Sequence, residues 1–187
     1  RRRHSFPTRR SSDLNLNHSK GTGQPSRIIM GLDMYLTKKT YVGAEYEHRK
    51  VTGEVKILVD GVELPIKFNR ISEISERVGY WRKANQIHNW FVQNVQGGED
   101  NCQEYEVSYE QLDKLLQDCK AVLKNPKKAE KILPVLSGCF FGSYEYDEYF
   151  LNDIRDTVEI ITPLLNEAKE YNGEKYLPET IIYQSSW

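Results

Sequence analysis

The stretch 71–95, ISEISERVGYWRKANQIHNWFVQNV, constrains this chain most, because it is the longest segment with an unbroken helical period. Positions 71, 74, 78, 81, 84, 88, 91, 92 and 95 recur at the three-and-four spacing that lays one side of a helix on a core. The pattern predicts one helix over 71–95. Asn85 and His88 fall inside the stripe and Trp90 points nearly opposite. The helix is therefore expected to meet other elements on more than one side, with Trp90 covered by segment 139–150 or by the tail ending at Trp187.

The beginning of the chain reads as foreign to the fold. His4 to Leu14, HSFPTRRSSDL, resembles a translated frame of a sequencing-library adapter over eleven consecutive residues, which implies a gene taken from raw or metagenomic assembly. Residues 15–29 lack any hydrophobic period and are rich in Asn, Ser, Gly and Lys. Residues 1–29 are therefore set apart as a leader, Met30 is the expected start, and 30–187 is the expected globular domain.

This division changes the electrostatics. Residues 1–29 hold seven of the 26 Lys and Arg and one of the 27 acids, leaving 19 basic and 26 acidic groups and a net charge of about −7 over 158 residues. An acidic domain argues against nonspecific nucleic-acid binding, which runs on phosphate neutralisation. A chain of this length suits one domain that buries roughly 70% of its unfolded surface. Without an apolar run near the ~18 residues a bilayer needs, no membrane association is expected. Cys102, Cys119 and Cys139 form no pairwise framework, so a reducing cytoplasm is the expected compartment.

Leu32, Met34 and Leu36 alternate with polar neighbours, as in a strand with one buried face. Residues 43–54 read as a loop. Asp60-Gly61 between 55–59 and 62–68 predicts a hairpin, with Val62, Leu64, Ile66 and Phe68 on one face and Pro65 marking an edge. Ser108 and Gln111 form a capping box for a second helix with Leu112, Leu115, Leu116, Cys119, Val122 and Leu123 inward. Pro126 opens a short helix, and 135–143 reads as extended or looped. A last helix carries Phe150, Ile154, Val158, Ile161, Leu165 and Ala168, is kinked or split by Pro163, and ends at Asn172-Gly173. The tail 180–187 is expected to pair with the first strand. The fold class is therefore α+β, a small mainly antiparallel sheet of N-terminal strand, hairpin and C-terminal strand packed on three main helices.

The segments MGLDMYL (30–36), YWRKANQIHNWFV (80–92), GGEDNCQEY (97–105), SGCFFGSYEYDEYF (137–150) and YQSSW (183–187) resemble a family of small proteins of tailed bacteriophages and prophages. The similarity covers essentially all of 30–187. It implies a phage setting and an intracellular protein. It carries no assigned activity and transfers no catalytic residue.

Four residues of the central stretch are candidates for a small-ligand site. If the stripe faces a pocket, Trp81, Asn85 and His88 supply a stacking surface and two hydrogen-bonding groups suited to a nucleotide-type ligand, and Arg82 supplies a partner for phosphate. The structural alternative is a core histidine satisfied by one bond, with Arg82 solvated or paired to an internal acid. The second candidate is 137–150, where Tyr144, Tyr146 and Tyr149 interleave with Glu145, Asp147 and Glu148. Three carboxylates at a helix start repel phosphate, so this composition suits recognition of a protein or cationic group, with Trp90 joining it if exposed.

Glu99, Asp100, Asn101 and Glu104 match no calcium loop, and the cysteines with His48 and His88 match no structural zinc spacing. No metal and no cofactor is expected, and no nucleophile-elbow, phosphate-loop or zinc-protease motif is present. The leading expectation is a non-enzymatic phage accessory protein that binds a host protein, with anti-defence or host takeover as the role such binding would serve. The alternative is a nucleotide-type ligand-binding or sequestering protein, and a third reading is a small hydrolase using His88.

Overall fold

The computed structural model describes residues 31–43, 53–138 and 140–187. The leader expected at 1–29, the expected start Met30, most of the loop expected at 43–54, with His48, and Cys139 lie outside the described residues.

The molecule is an α+β fold built on a four-stranded antiparallel sheet. Strand β1 (Asp33–Tyr41) pairs on one side with β4 (Glu73–Arg82) and on the other with the C-terminal β8 (Thr180–Ser186), which in turn pairs with the short β5 (Tyr105–Glu106). The strand order is β4-β1-β8-β5, so the first and last described strands form its centre, as the tail's apolar run predicts. Leu32, Met34 and Leu36 are fully buried and share the inner face with Trp81, Ile181 and Tyr183.

Three main helices cover that face. Helix α1 (Asn85–Asn94) contributes Ile87, Phe91 and Val92 to the core, and α2 (Tyr109–Lys124) contributes Leu112, Leu115, Leu116, Cys119 and Val122. The expected capping box is formed, with Ser108 Oγ accepting from the Gln111 amide and Gln111 Oε1 accepting from the Ser108 amide. A 3-10 turn at Pro126–Lys128 leads into the single turn α3 (Ala129–Ile132). Helix α4 (Glu148–Asn166) inserts Phe150, Ile154, Thr157, Ile161 and Leu164. Pro163 does not split it, and Ala168 lies beyond its end.

The single helix expected over 71–95 is two elements. Residues 73–82 are the strand β4, and helix begins only at Asn85. A β-bulge explains the misleading period. The register with β1 slips between Leu36 and Thr37, so Ile74 (opposite Thr40) and Trp81 (opposite Met34) share a face although they are seven positions apart, two turns of a helix. Lys83, at φ 63°, then turns the chain out of the strand. Gly79 fits the strand, because a Cβ there would lie 2.8 Å from Ile160 Cγ2 on α4 and 3.1 Å from Leu36 Cβ.

Two hairpins stand apart from the sheet. Strands β2 (Leu58–Val59) and β3 (Val62–Glu63) turn through Asp60 and Gly61, both at positive φ, as predicted, but pair only with each other. Leu64 and Ile66 are exposed with Val62, and Phe68 lies in a 3-10 turn, so the expected buried face does not form. Asn172-Gly173 does not end α4 but makes the turn between β6 (Lys169–Tyr171) and β7 (Glu174–Tyr176). No described helix is long and apolar enough to cross a membrane.

Candidate functional site

The corner where β4 passes into α1 organises the surface around it. Asn85, the first residue of α1, is buried and clamps the preceding loop of α4: its Nδ2 donates to the carbonyls of Phe141 (3.1 Å) and Ser143 (2.8 Å), and its Oδ1 accepts from the Leu136 amide (3.2 Å). Three of its four hydrogen-bonding positions are thus spent on backbone. Gly142, at φ 102°, passes so close to this corner that a Cβ would lie 2.9 Å from the Lys83 carbonyl oxygen. Asn85 therefore anchors this loop.

Between this corner and the first turns of α4 lies a cleft of ≈ 240 Å³, with Lys83 and Arg82 on one wall and Glu145, Asp147, Tyr149 and Asp153 on the other. Asp147 caps α4, its Oδ1 accepting from the Phe150 amide at 3.1 Å. Gln86 is buried and donates to Asp153 Oδ2 at 3.0 Å. Burial raises the Asp153 pKa, the Gln86 bond opposes that rise, and Asp156 and Asp147 add to it. Tyr149 is 79% exposed. The other two tyrosines are partly committed: Tyr144 Oη donates to the Gly138 carbonyl at 3.1 Å, and Tyr146 accepts from the Val135 amide at 3.3 Å while its ring meets Phe150 edge-on.

The four residues proposed for a small-ligand pocket are dispersed. Trp81 faces the core, donating its indole N–H to Thr157 Oγ1 at 2.9 Å. Arg82 points to the other side of the strand, where Nη1 binds both oxygens of Asp33 at 2.7 and 2.8 Å and Tyr80 Oη donates to the same carboxylate at 2.6 Å. Partial burial draws the Asp33 pKa upward, but the Tyr80 and Arg82 bonds outweigh it and hold the carboxyl below its ordinary value.

His88 has no exposed surface and uses both ring nitrogens. Nε2 lies 2.9 Å from Asp100 Oδ2 and Nδ1 lies 2.8 Å from Tyr183 Oη. In the neutral imidazole Asp100 takes the Nε2 hydrogen, so Nδ1 accepts from the Tyr183 hydroxyl. Tyr183 in turn stacks on Phe91 with ring centroids 3.8 Å apart. Asp100 Oδ1 accepts from the Trp187 indole at 3.1 Å. A cleft of ≈ 380 Å³ between Val92, Leu136, Phe141 and Trp187 reaches Asp100 and stops short of His88 and Asn85.

Trp90 is buried, and its hydrogen bond and cation contact come from an element other than the expected 139–150 or tail. That element is α2: Asp118 Oδ2 accepts its indole N–H at 2.9 Å, and Lys114, bonded to the same carboxylate at 2.6 Å, lies 5.4 Å from the ring centroid. Trp90 thus lacks the exposure on which its place among the partner-binding candidates depended. The acidic loop after α1 is engaged internally, with Glu104 bound to Lys39 at 2.9 Å and Asn101 to Tyr105 at 2.8 Å. Among the described residues no group of three or more His, Cys, Asp or Glu is placed to hold a metal. Sequence reasoning missed Asp100, Tyr183, Gln86 and Asp153 as partners. Only Asp153 carried a signal, as a polar residue one position before the buried Ile154. No protein-family model, curated protein or solved structure matches this chain.

Proposed function

We propose that the protein acts by binding another protein, with the Tyr149 cleft as the contact surface, and that in the phage setting suggested by its sequence the partner is a host component. The exposure of Tyr149 carries this reading. A tyrosine 79% exposed in the lining of a cleft, with Glu145, Asp147 and Asp153 outnumbering Arg82 and Lys83 there, offers an aromatic anchor and a charge matched to a basic group. Tyr144 and Tyr146 support it by holding the loop. Immobilised protein should retain a defined partner from host lysate. The Tyr149→Ala and Glu145→Lys variants should lose that partner, whereas the distant Glu130→Lys should keep it. Equal retention by all variants, or none by the wild type, counts against the proposal.

The nucleotide-type reading moves to the ≈ 380 Å³ cleft, where Trp187, 54% exposed and meeting the buried Phe141 ring edge-on, offers a face for stacking. A thermal-shift screen with nucleotides tests it, since a ligand at ~100 times its dissociation constant adds ~2.7 kcal/mol. The hydrolase reading has less support, because His88 is enclosed and both of its nitrogens are engaged.

A further inference from the structure

From a second groove, between β4 and α4, we infer that the partner presents a basic amphipathic segment. The inference rests on the binding reading above and narrows the class of partner. The groove spans ≈ 600 Å³ and draws on the same strand and helix as the smaller cleft, Tyr80 and Asp156 lining the groove where Arg82 and Asp153 line the cleft. Its floor is apolar, with Val78 from β4 and Ile160, Pro163 and Leu164 from α4. Its rim carries four carboxylates, Glu76, Asp156, Glu159 and Glu167.

Lys38 shows how that rim seats an ammonium. Its Nζ lies 3.1 Å from Glu167 Oε2 and 3.6 Å from Glu76 Oε2. That leaves Asp156 and Glu159, three positions apart on the exposed side of α4, without an ion pair among the described residues. Like charges at this spacing repel, and a cation laid between them relieves the repulsion. A bare polycation would answer the rim and leave the floor wet. A segment with lysines or arginines on one side and aliphatic side chains on the other answers both. From Asp153 in the smaller cleft to Glu167, the cap of α4, the helix rises about 21 Å, the length of a helical segment of roughly 14 residues.

The test is a fluorescence-anisotropy titration of the full chain with a labelled 14-residue peptide of Lys and Leu at helical spacing. A second peptide keeps the lysines and replaces Leu by Ser. The Lys/Leu peptide should bind saturably, and the Lys/Ser peptide at least about ten-fold more weakly, the loss expected when an apolar contact worth about 1.4 kcal/mol is removed. Asp156→Lys with Glu159→Lys should weaken the Lys/Leu peptide about ten-fold or more, and the milder Asp156→Asn with Glu159→Gln should weaken it in the same direction. Glu130→Lys with Glu170→Lys, an equal change of net charge elsewhere, should change it less than about two-fold. Absence of saturable binding, equal weakening by the two charge-reversal pairs, or equal affinity for the two peptides overturns the inference. Partner capture that depends on Tyr149 while the peptide fails would remove this inference and leave the broader proposal standing.

Discussion

At the scale of single residues, His88 ties three distant parts of the chain together. It joins Asp100 from the loop after α1 to Tyr183 in the central strand. Replacing it by Leu leaves a buried phenol and a carboxylate without their partner, which should cost about 2–4 kcal/mol in urea unfolding. Adding Tyr183→Phe should cost less than the sum of the single changes, because one interaction is being counted twice. Alkaline pH probes the same core. Burial, with the Asp100 charge in second place, holds the Tyr183 hydroxyl well above its ordinary range, and burial with Asp118 pushes the Cys119 thiol up to about 12. Folded, both groups keep protons that the unfolded chain releases, so their stabilising contribution is complete below about pH 8 and drains away as pH rises beyond about 9–10. The urea midpoint should therefore hold steady near neutrality and fall through that window. Cys119 should stay unlabelled by iodoacetamide in the native protein. The sequence marks His88 and Asn85 as polar residues within an apolar pattern. It does not reveal their partners, because 95 positions separate His88 from Tyr183 and only the fold brings them together.

Among the elements, β4 shows why a helical period can belong to a strand. One bulge reverses the alternation of buried and exposed positions, and apolar residues seven apart then coincide on a face. The two assignments predict opposite outcomes for one substitution. In a helix interior, Gly79→Ala would stabilise by roughly 0.5–1 kcal/mol. In β4 the new methyl meets Ile160 and Leu36, so thermal denaturation should show a loss of about 1–3 kcal/mol, partly restored by Ile160→Ala. Where the sequence signal is local chemistry, it survives folding intact. The capping box at Ser108 and the turn at Asp60-Gly61 depend only on residues within a few positions of one another. What local signals miss is whether an element is covered. The β2–β3 hairpin has the expected turn, yet Leu58 and Val62 are 65% and 67% exposed. Leu58→Ser with Val62→Ser should therefore leave the unfolding free energy within about 0.5 kcal/mol of wild type. A larger loss would mean that the hairpin packs against something.

At the scale of the whole molecule, the central place of β8 makes the closing residues essential to the fold. A strand flanked on both sides cannot leave without exposing two ladders, and β8 also places Ile181 and Tyr183 under the helices. This much was legible, because a chain that ends in TIIY after its last helix needs a partner strand and the opening LDMYL offers one. The assembled binding surface was legible only in part. Tyr149, Glu145 and Asp147 lie close in sequence and stay close in space, and Asp153 joins them one turn further along α4, whereas Lys83 and Gln86 join them only because the start of α1 comes beside α4. Two truncations separate the role of the strand from that of its last side chain. Trp187 is 54% exposed and gives one indole bond to Asp100, so removing it alone should cost no more than about 1–1.5 kcal/mol and leave a cooperative melt. Ending the chain at Glu179 removes the middle of the sheet. The buried side chains of β8 alone account for several kcal/mol, at about 1.5–3 kcal/mol for each large apolar group, against a total stability on the order of 5–15 kcal/mol. That variant should lack a cooperative thermal transition and near-ultraviolet circular dichroism. A truncated chain that still melts cooperatively would mean that β1, β4 and the helices hold a core without β8.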